Sequence, residues 1–180
     1  MNTTEIKEQK QNMSDTNENK RGYKKTELGW IPKEWGIIEL KDISNISSGG
    51  TPKKEIVSYW NGNIPWLTTS LVYFQKVNKA ETYITKEGLN NSAAKIFPKG
   101  TIIMAMYGQG RTRGQVGLLG IEAATNQACA GIKIRKSLSD IKYVYYTLIY
   151  RYKNIRELGH GGNQKNLNLS LIRKIKISFP

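Results

Sequence analysis

The sequence predicts an α+β fold: a mixed, mostly antiparallel twisted sheet with one long helix and short helical turns. Three stretches carry that expectation. Residues 101–106 are an unbroken run of apolar and small residues behind a Pro98-Lys99-Gly100 turn, the pattern of a strand buried on both faces. Residues 131–135 alternate, with Ile132 and Ile134 inward and Lys133 and Arg135 outward, as a one-sided strand does. Ile141, Val144, Tyr145, Leu148, Tyr152 and Ile155 recur at helical spacing; Ser137 with Asp140 reads as a capping box before them and Gly159 as the stop after them.

Taken in order, residues 1–21 contain no aromatic residue, one isoleucine, and many amides and charges. With nothing to bury, they are expected to form a disordered polar tail. Residues 22–180 are the folded domain, long enough for a proper core. Trp30 and Trp35 flank Pro32 and are expected to anchor a leading segment by packing. Residues 37–46 read as a first strand, or a strand plus turn. Ser47-Ser48-Gly49-Gly50-Thr51-Pro52-Lys53-Lys54 is a turn whose backbone N–H groups and lysines suit a phosphate. A turn and short strand follow over 59–67, with Trp66 in the core. Thr68, Thr69 and Ser70 either meet a ligand or cap the next element. Residues 85–94 form a short helical turn, and 95–99 lead back to the buried strand. Its hairpin partner is 116–121, followed by a small-residue segment with an Asn126-Gln127 pair and, at the end, an alternating basic strand from Arg173. The tyrosines on the helical stripe belong to the core rather than to base stacking.

Charge narrows the partners. Lys and Arg number 28 against 14 Asp and Glu, a net +14. The acids and bases of residues 1–21 cancel, so the whole excess lies in the folded part. Such a field attracts polyanions, nucleic acid first. No membrane partner is expected: no stretch pairs a basic face with bulky apolar anchors, and no apolar run approaches spanning length. One cysteine, Cys129, and one histidine leave no disulfide framework and no zinc set. A cytoplasmic setting fits.

Two loops have side chains suited to DNA. The first, after the buried strand, places Tyr107, Gln109, Arg111, Arg113 and Gln115 among Gly108, Gly110 and Gly114. Arginine pairs with guanine edges and glutamine with adenine edges, while glycine lets the backbone come close. The second, after the helix, holds His160, Asn163, Gln164, Lys165 and Asn166 among glycines. Neither contains an acid. Thr51, Lys53 and Lys54 in the earlier turn complete the candidate set, as phosphate-positioning or base-reading residues. An ordinary solvated hairpin stays open as the other reading of the first loop.

Catalysis by this chain alone is not expected. The five prolines are never adjacent, so the Asn/Asp-Pro-Pro-aromatic clamp of DNA methyltransferases is absent. Gly108–Gly114 has no Gly-Lys-Ser/Thr ending, which excludes a P-loop. Glu157 apart, His160 has no carboxylate or nucleophile near it in sequence, and the polar loops hold no acid for a metal-dependent nuclease.

The motifs have a recognisable order. Leu28-Gly29-Trp30-Ile31-Pro32-x-x-Trp35, Ser48-Gly49-Gly50-Thr51-Pro52, Ile64-Pro65-Trp66-Leu67 and Gly88-Leu89-Asn90-Asn91-Ser92-Ala93-Ala94 come first. Phe97-Pro98-Lys99-Gly100-Thr101, Ala124-Thr125-Asn126-Gln127-Ala128 and Gly162-Asn163-Gln164-Lys165-Asn166-Leu167 follow. Together they resemble a target recognition domain of the specificity subunit of type I restriction–modification systems. The resemblance implies a non-catalytic α+β unit that reads one half of a bipartite double-stranded DNA sequence. It implies modification (methyltransferase) and restriction subunits as partners; S-adenosylmethionine, ATP and magnesium would belong to those subunits, leaving none for this chain. The family's spacer helices and second recognition domain are absent, which implies a fragment, a single domain or a half-subunit. Two other readings stay open: a non-specific nucleic-acid-binding domain, and a half-subunit mimic that binds only the partner subunits.

Overall fold

The computed structural model describes residues 21–108, 111–160 (backbone alone at His160) and 166–180. The polar tail expected over 1–21 therefore lies, Arg21 apart, outside the described residues. The described residues divide into two compact units, 21–38 with Ser178–Pro180, and those of Glu39–Ile177.

In the first unit β1 (Tyr23–Thr26) and β2 (Gly29–Pro32) pair as an antiparallel hairpin, Tyr23 opposite Pro32 and Thr26 opposite Gly29. Thr26 closes the turn through its hydroxyl, which donates to the Gly29 carbonyl (2.8 Å) and accepts from the Leu28 N–H (3.1 Å). Ile31 is buried, and Trp30 and Trp35 are half-buried. The chain's last strand, β13 (Lys176–Phe179), pairs with β3 (Gly36–Glu39).

The second unit opens on α1 (Leu40–Ile43), a single helical turn inside the stretch that reads from sequence as a strand or a strand plus turn. The Asp42 carboxylate accepts from the Glu39 N–H at 2.9 Å, and the turn buries both Leu40 and Ile43. After it comes β4 (Ser44–Ser48), the edge of a five-stranded sheet ordered β4, β12 (Cys129–Ile134), β9 (Ile102–Ala105), β10 (Val116–Leu119), β6 (Lys76–Val77). Its pairs are antiparallel except β10 with β6. A four-stranded sheet runs β7 (Thr82–Ile84), β5 (Trp60–Leu67), β11 (Ala123–Thr125), β8 (Ile96–Phe97), with β11 and β5 parallel. The short helix α2 (Lys86–Asn90) is capped by Thr85, whose hydroxyl accepts from the Gly88 N–H at 3.0 Å. The architecture is the mixed α+β, mostly antiparallel one that the sequence predicts.

β9 is central and buried on both faces, as its apolar run requires. Ile103 and Ala105 join Leu67, Phe97, Leu119 and Cys129 in one core cluster, while Ile102 and Met104, on the other face by strand alternation, are equally inaccessible. Its entry turn is also as the sequence implies: Gly100 sits at φ +88° and the Thr101 N–H donates to the Pro98 carbonyl at 3.1 Å.

The helical stripe differs from its prediction at its start and in its interior. Asp140 itself is the N-cap, its carboxylate accepting from the Tyr143 N–H at 2.9 Å. Ser137 lies instead in a turn in which the Leu138 and Ser139 N–H groups return to the Arg135 carbonyl. The single long helix is two, α3 (Ile141–Tyr150) and α4 (Tyr152–Glu157), broken at Arg151, which takes φ −88° and ψ 9° while its guanidinium donates to the Lys176 carbonyl. The apolar stripe continues across the break, so periodicity could not reveal it. Tyr145 on the stripe is buried; Tyr146 and Tyr150, off it, are exposed.

Candidate nucleic-acid interface

The site grows from the far end of β9. Met106 donates its N–H to the Ala128 carbonyl (2.8 Å) and accepts from the Leu167 N–H (3.0 Å). The strand end is thereby clamped between the turn joining β11 to β12 and the segment leading into α5 (Leu169–Arg173). The two polar loops named from the sequence meet at this clamp, one leaving Met106 and the other returning at Leu167.

Of the first loop, Tyr107 and Arg111 are exposed, and Gln109 lies outside the described residues. Arg113 and Gln115 are not exposed as their expected role would require. They are 7% and 4% exposed, so neither side chain stands where a base edge can reach it. The cause is an early return to β-pairing: the Gly114 N–H donates to Ala105 O (2.8 Å), and the Ala105 N–H to Gln115 O (2.9 Å). Gly114, at φ +83°, lies against α4, where an added Cβ would come within 3.2 Å of Arg156 Cγ. The Tyr152 hydroxyl donates to the Arg111 carbonyl and secures the loop from the same helix.

In the second loop Asn166 is exposed and Leu167 buried. Asn163, Gln164, Lys165 and the His160 side chain lie outside the described residues. The flanks meet, for a Cβ on Gly159 would stand 3.3 Å from the Asn166 carbonyl carbon.

Thr51, Lys53 and Lys54 join this end of the sheet. The Thr51 hydroxyl donates to Gln127 Oε1 (2.5 Å), in the turn that clamps Met106. Lys53 and Lys54 are exposed. Of the N–H groups expected to cradle a phosphate, those of the two glycines are already taken. The Gly50 N–H is used by the Thr125 carbonyl (2.9 Å) and the Gly49 N–H faces the Cys129 carbonyl (3.4 Å). These glycines serve close packing: a Cβ on Gly49 would overlap Thr125, and one on Gly50 would overlap Ala93. The loop hangs from two indoles, Trp66 donating to Gly50 O (3.0 Å) and Trp60 to Lys53 O (3.1 Å).

Gln127 is the residue that sequence reasoning left out. The Asn126-Gln127 pair was visible, but only the fold sets it between two loops; Asn126 shapes the turn through Oδ1, which accepts from the Ala128 N–H at 3.2 Å. A basic concavity of about 220 Å³, bordered by Lys99, Lys133 and Lys136, opens at the opposite end of β9 and belongs to none of these loops.

Chemically, the arrangement offers exposed cations (Lys53, Lys54, Arg111), amides (Gln127, Asn166) and an aromatic ring (Tyr107) on loops without acids. Among the described residues no three His, Cys, Asp or Glu side chains gather as a metal set. No helix among them is long and apolar enough to cross a membrane.

The family model for the type I restriction modification DNA specificity domain matches residues 32–180. The type I restriction enzyme MjaIX specificity subunit of Methanocaldococcus jannaschii is 30% identical over 168 residues, covering 88% of this chain and 37% of that one. The EcoR124I/EcoR124II specificity subunit of Escherichia coli is 26% identical over 152 residues, covering 81% and 37%. Among solved structures, the HsdS subunit from Thermoanaerobacter tengcongensis superposes with a TM-score of 0.62 at 14% identity, over 88% of this chain and 36% of that one. The specificity subunit from M. genitalium gives 0.56 at 18% identity, over 81% and 34%. The chain thus spans little more than a third of the length of the relatives it matches. It belongs to the family of type I restriction modification DNA specificity domains.

Proposed function

We propose that this chain reads a short base sequence in duplex DNA, one half of a bipartite target, as the recognition domain of a type I specificity subunit. The observation that carries this is the gathering of acid-free loops (residues 49–54, 107–115 and the flanks of 160–165) around the 126–128 turn at one end of the sheet, in a chain with a net charge of +14. Phosphate contacts by Lys53 and Lys54 would set position, and Arg111 with the neighbouring amides would read bases. The domain itself catalyses nothing. Methyl transfer and cleavage fall to modification and restriction subunits that bring S-adenosylmethionine, ATP and magnesium, in the cytoplasm.

Selection from a random duplex pool tests this. The chain enriches a defined short sequence and prefers duplex over single strands in competition. Enrichment of no sequence, equal binding of single strands, or reproducible nicking of plasmid with magnesium or manganese would each overturn it.

A further inference from the structure

We propose that Phe74 and Tyr152 form a positioning pair that fixes the path of residues 111–115, so that base discrimination depends on two side chains outside the DNA contact itself. The inference rests on the reading of that loop as base-reading.

Phe74 has φ +48°, a conformation bulky residues rarely adopt, and persists there because its surroundings hold it. Its N–H donates to the Val116 carbonyl at 2.8 Å. Gly117 of β10 lies beside this turn, where an added Cβ would stand 3.4 Å from Gln75 O. The Phe74 ring meets the Tyr152 ring edge to face, centroids 5.0 Å apart at 85°. Tyr152 is the first residue of α4, directly after the break at Arg151. Its hydroxyl donates to the Arg111 carbonyl and accepts from Arg156 Nη1 at 2.9 Å, with the Arg156 guanidinium carbon 5.6 Å from the ring centroid. Both capacities of that hydroxyl are used.

The consequence follows from the geometry each kind of DNA contact demands. A bidentate arginine–guanine pair needs a defined direction, whereas attraction to phosphate is tolerant of a wandering guanidinium. Holding the Arg111 carbonyl restricts the backbone that launches its side chain. Pre-organisation of that kind favours the demanding contact over the tolerant one.

The test uses the purified chain, the duplex it enriches from a random pool, and a scrambled duplex of equal length. Tyr152→Phe removes the hydroxyl and keeps the ring. It is expected to weaken the enriched duplex about fivefold, the worth of one hydrogen bond. The scrambled duplex and the salt slope stay as in the wild type, any fall in melting temperature stays within the worth of that one hydrogen bond, and amide exchange over 111–115 quickens. Phe74→Leu, which loses the edge-to-face contact, repeats the pattern, and Phe74→Tyr restores it. An unchanged ratio between the duplexes in folded Tyr152→Phe and Phe74→Leu, whatever the exchange shows, overturns the proposal while leaving base reading intact. Equal weakening of both duplexes with a lower melting temperature overturns it too, as a purely structural role. If the wild type enriches no sequence, base reading and this inference fall together.

Discussion

Trp60 and Trp66 meet edge to face, with centroids 5.2 Å apart and planes at 88°, and both end on the backbone of the loop that carries Lys53 and Lys54. Two strand residues on one sheet thereby suspend a loop of the candidate interface. Trp66→Phe leaves the buried Gly50 carbonyl without its donor. The expected loss is about 1–3 kcal/mol in urea unfolding. Trp60→Phe, at a more open position, should cost less.

Lys53→Ala and Lys54→Ala are expected to weaken all duplexes alike and to lower the salt slope by about one unit each. Arg111→Ala should instead cost about 1–3 kcal/mol on the enriched sequence and relax its base preference. Titrations of matched and scrambled duplexes at several salt concentrations separate the two behaviours. If Arg111→Ala binds and discriminates as the wild type does, the first loop is not a base reader.

Arg113 and Gln115 should behave as interior residues. Alanine at either position is expected to lower the melting temperature, with any loss of DNA affinity following the fraction unfolded. Loss of affinity at full stability would show that the loop opens to present them.

Glycine positions give a sharp contrast. Gly49→Ala forces a Cβ into the Thr125 backbone, which has no room to yield, and should destabilise by roughly 1–3 kcal/mol or more. Gly36→Ala meets nothing within 4 Å and should be tolerated. Thermal melts of the two variants decide it.

Cys129 offers a pH test. It is fully buried, and burial pushes its thiol from the ordinary 9.0 up to about 12. The unfolded chain releases this proton first, so the group leaves stability unchanged below about pH 9. Above that it favours unfolding, progressively until about pH 12. At pH 8 iodoacetamide should label Cys129 only as fast as the protein opens, and labelling should become rapid in denaturant. Fast labelling of the native chain would show that the core around β12 is accessible.

What the sequence by itself determined is whatever depends on near neighbours. The apolar run became β9, buried on both faces, and Pro98-Lys99-Gly100 became its turn. Thr85 capped a short helix, and the alternation after Gly131 became the half-exposed end of β12. The order of motifs was enough to indicate the family. Tertiary structure decided the rest. It paired β10 with β6 and β11 with β5 in parallel, broke the long helix at Arg151, and turned Arg113 and Gln115 inward. It used the N–H groups of Gly49 and Gly50 for packing rather than for an anion, and set Gln127 between two loops. The division has one physical cause. Periodicity and turn chemistry record how a residue relates to those a few positions away. Burial of a loop side chain, or the partner of a backbone N–H, depends on groups far along the chain, as Gln127 is 76 positions from Thr51, and only the folded chain brings them together.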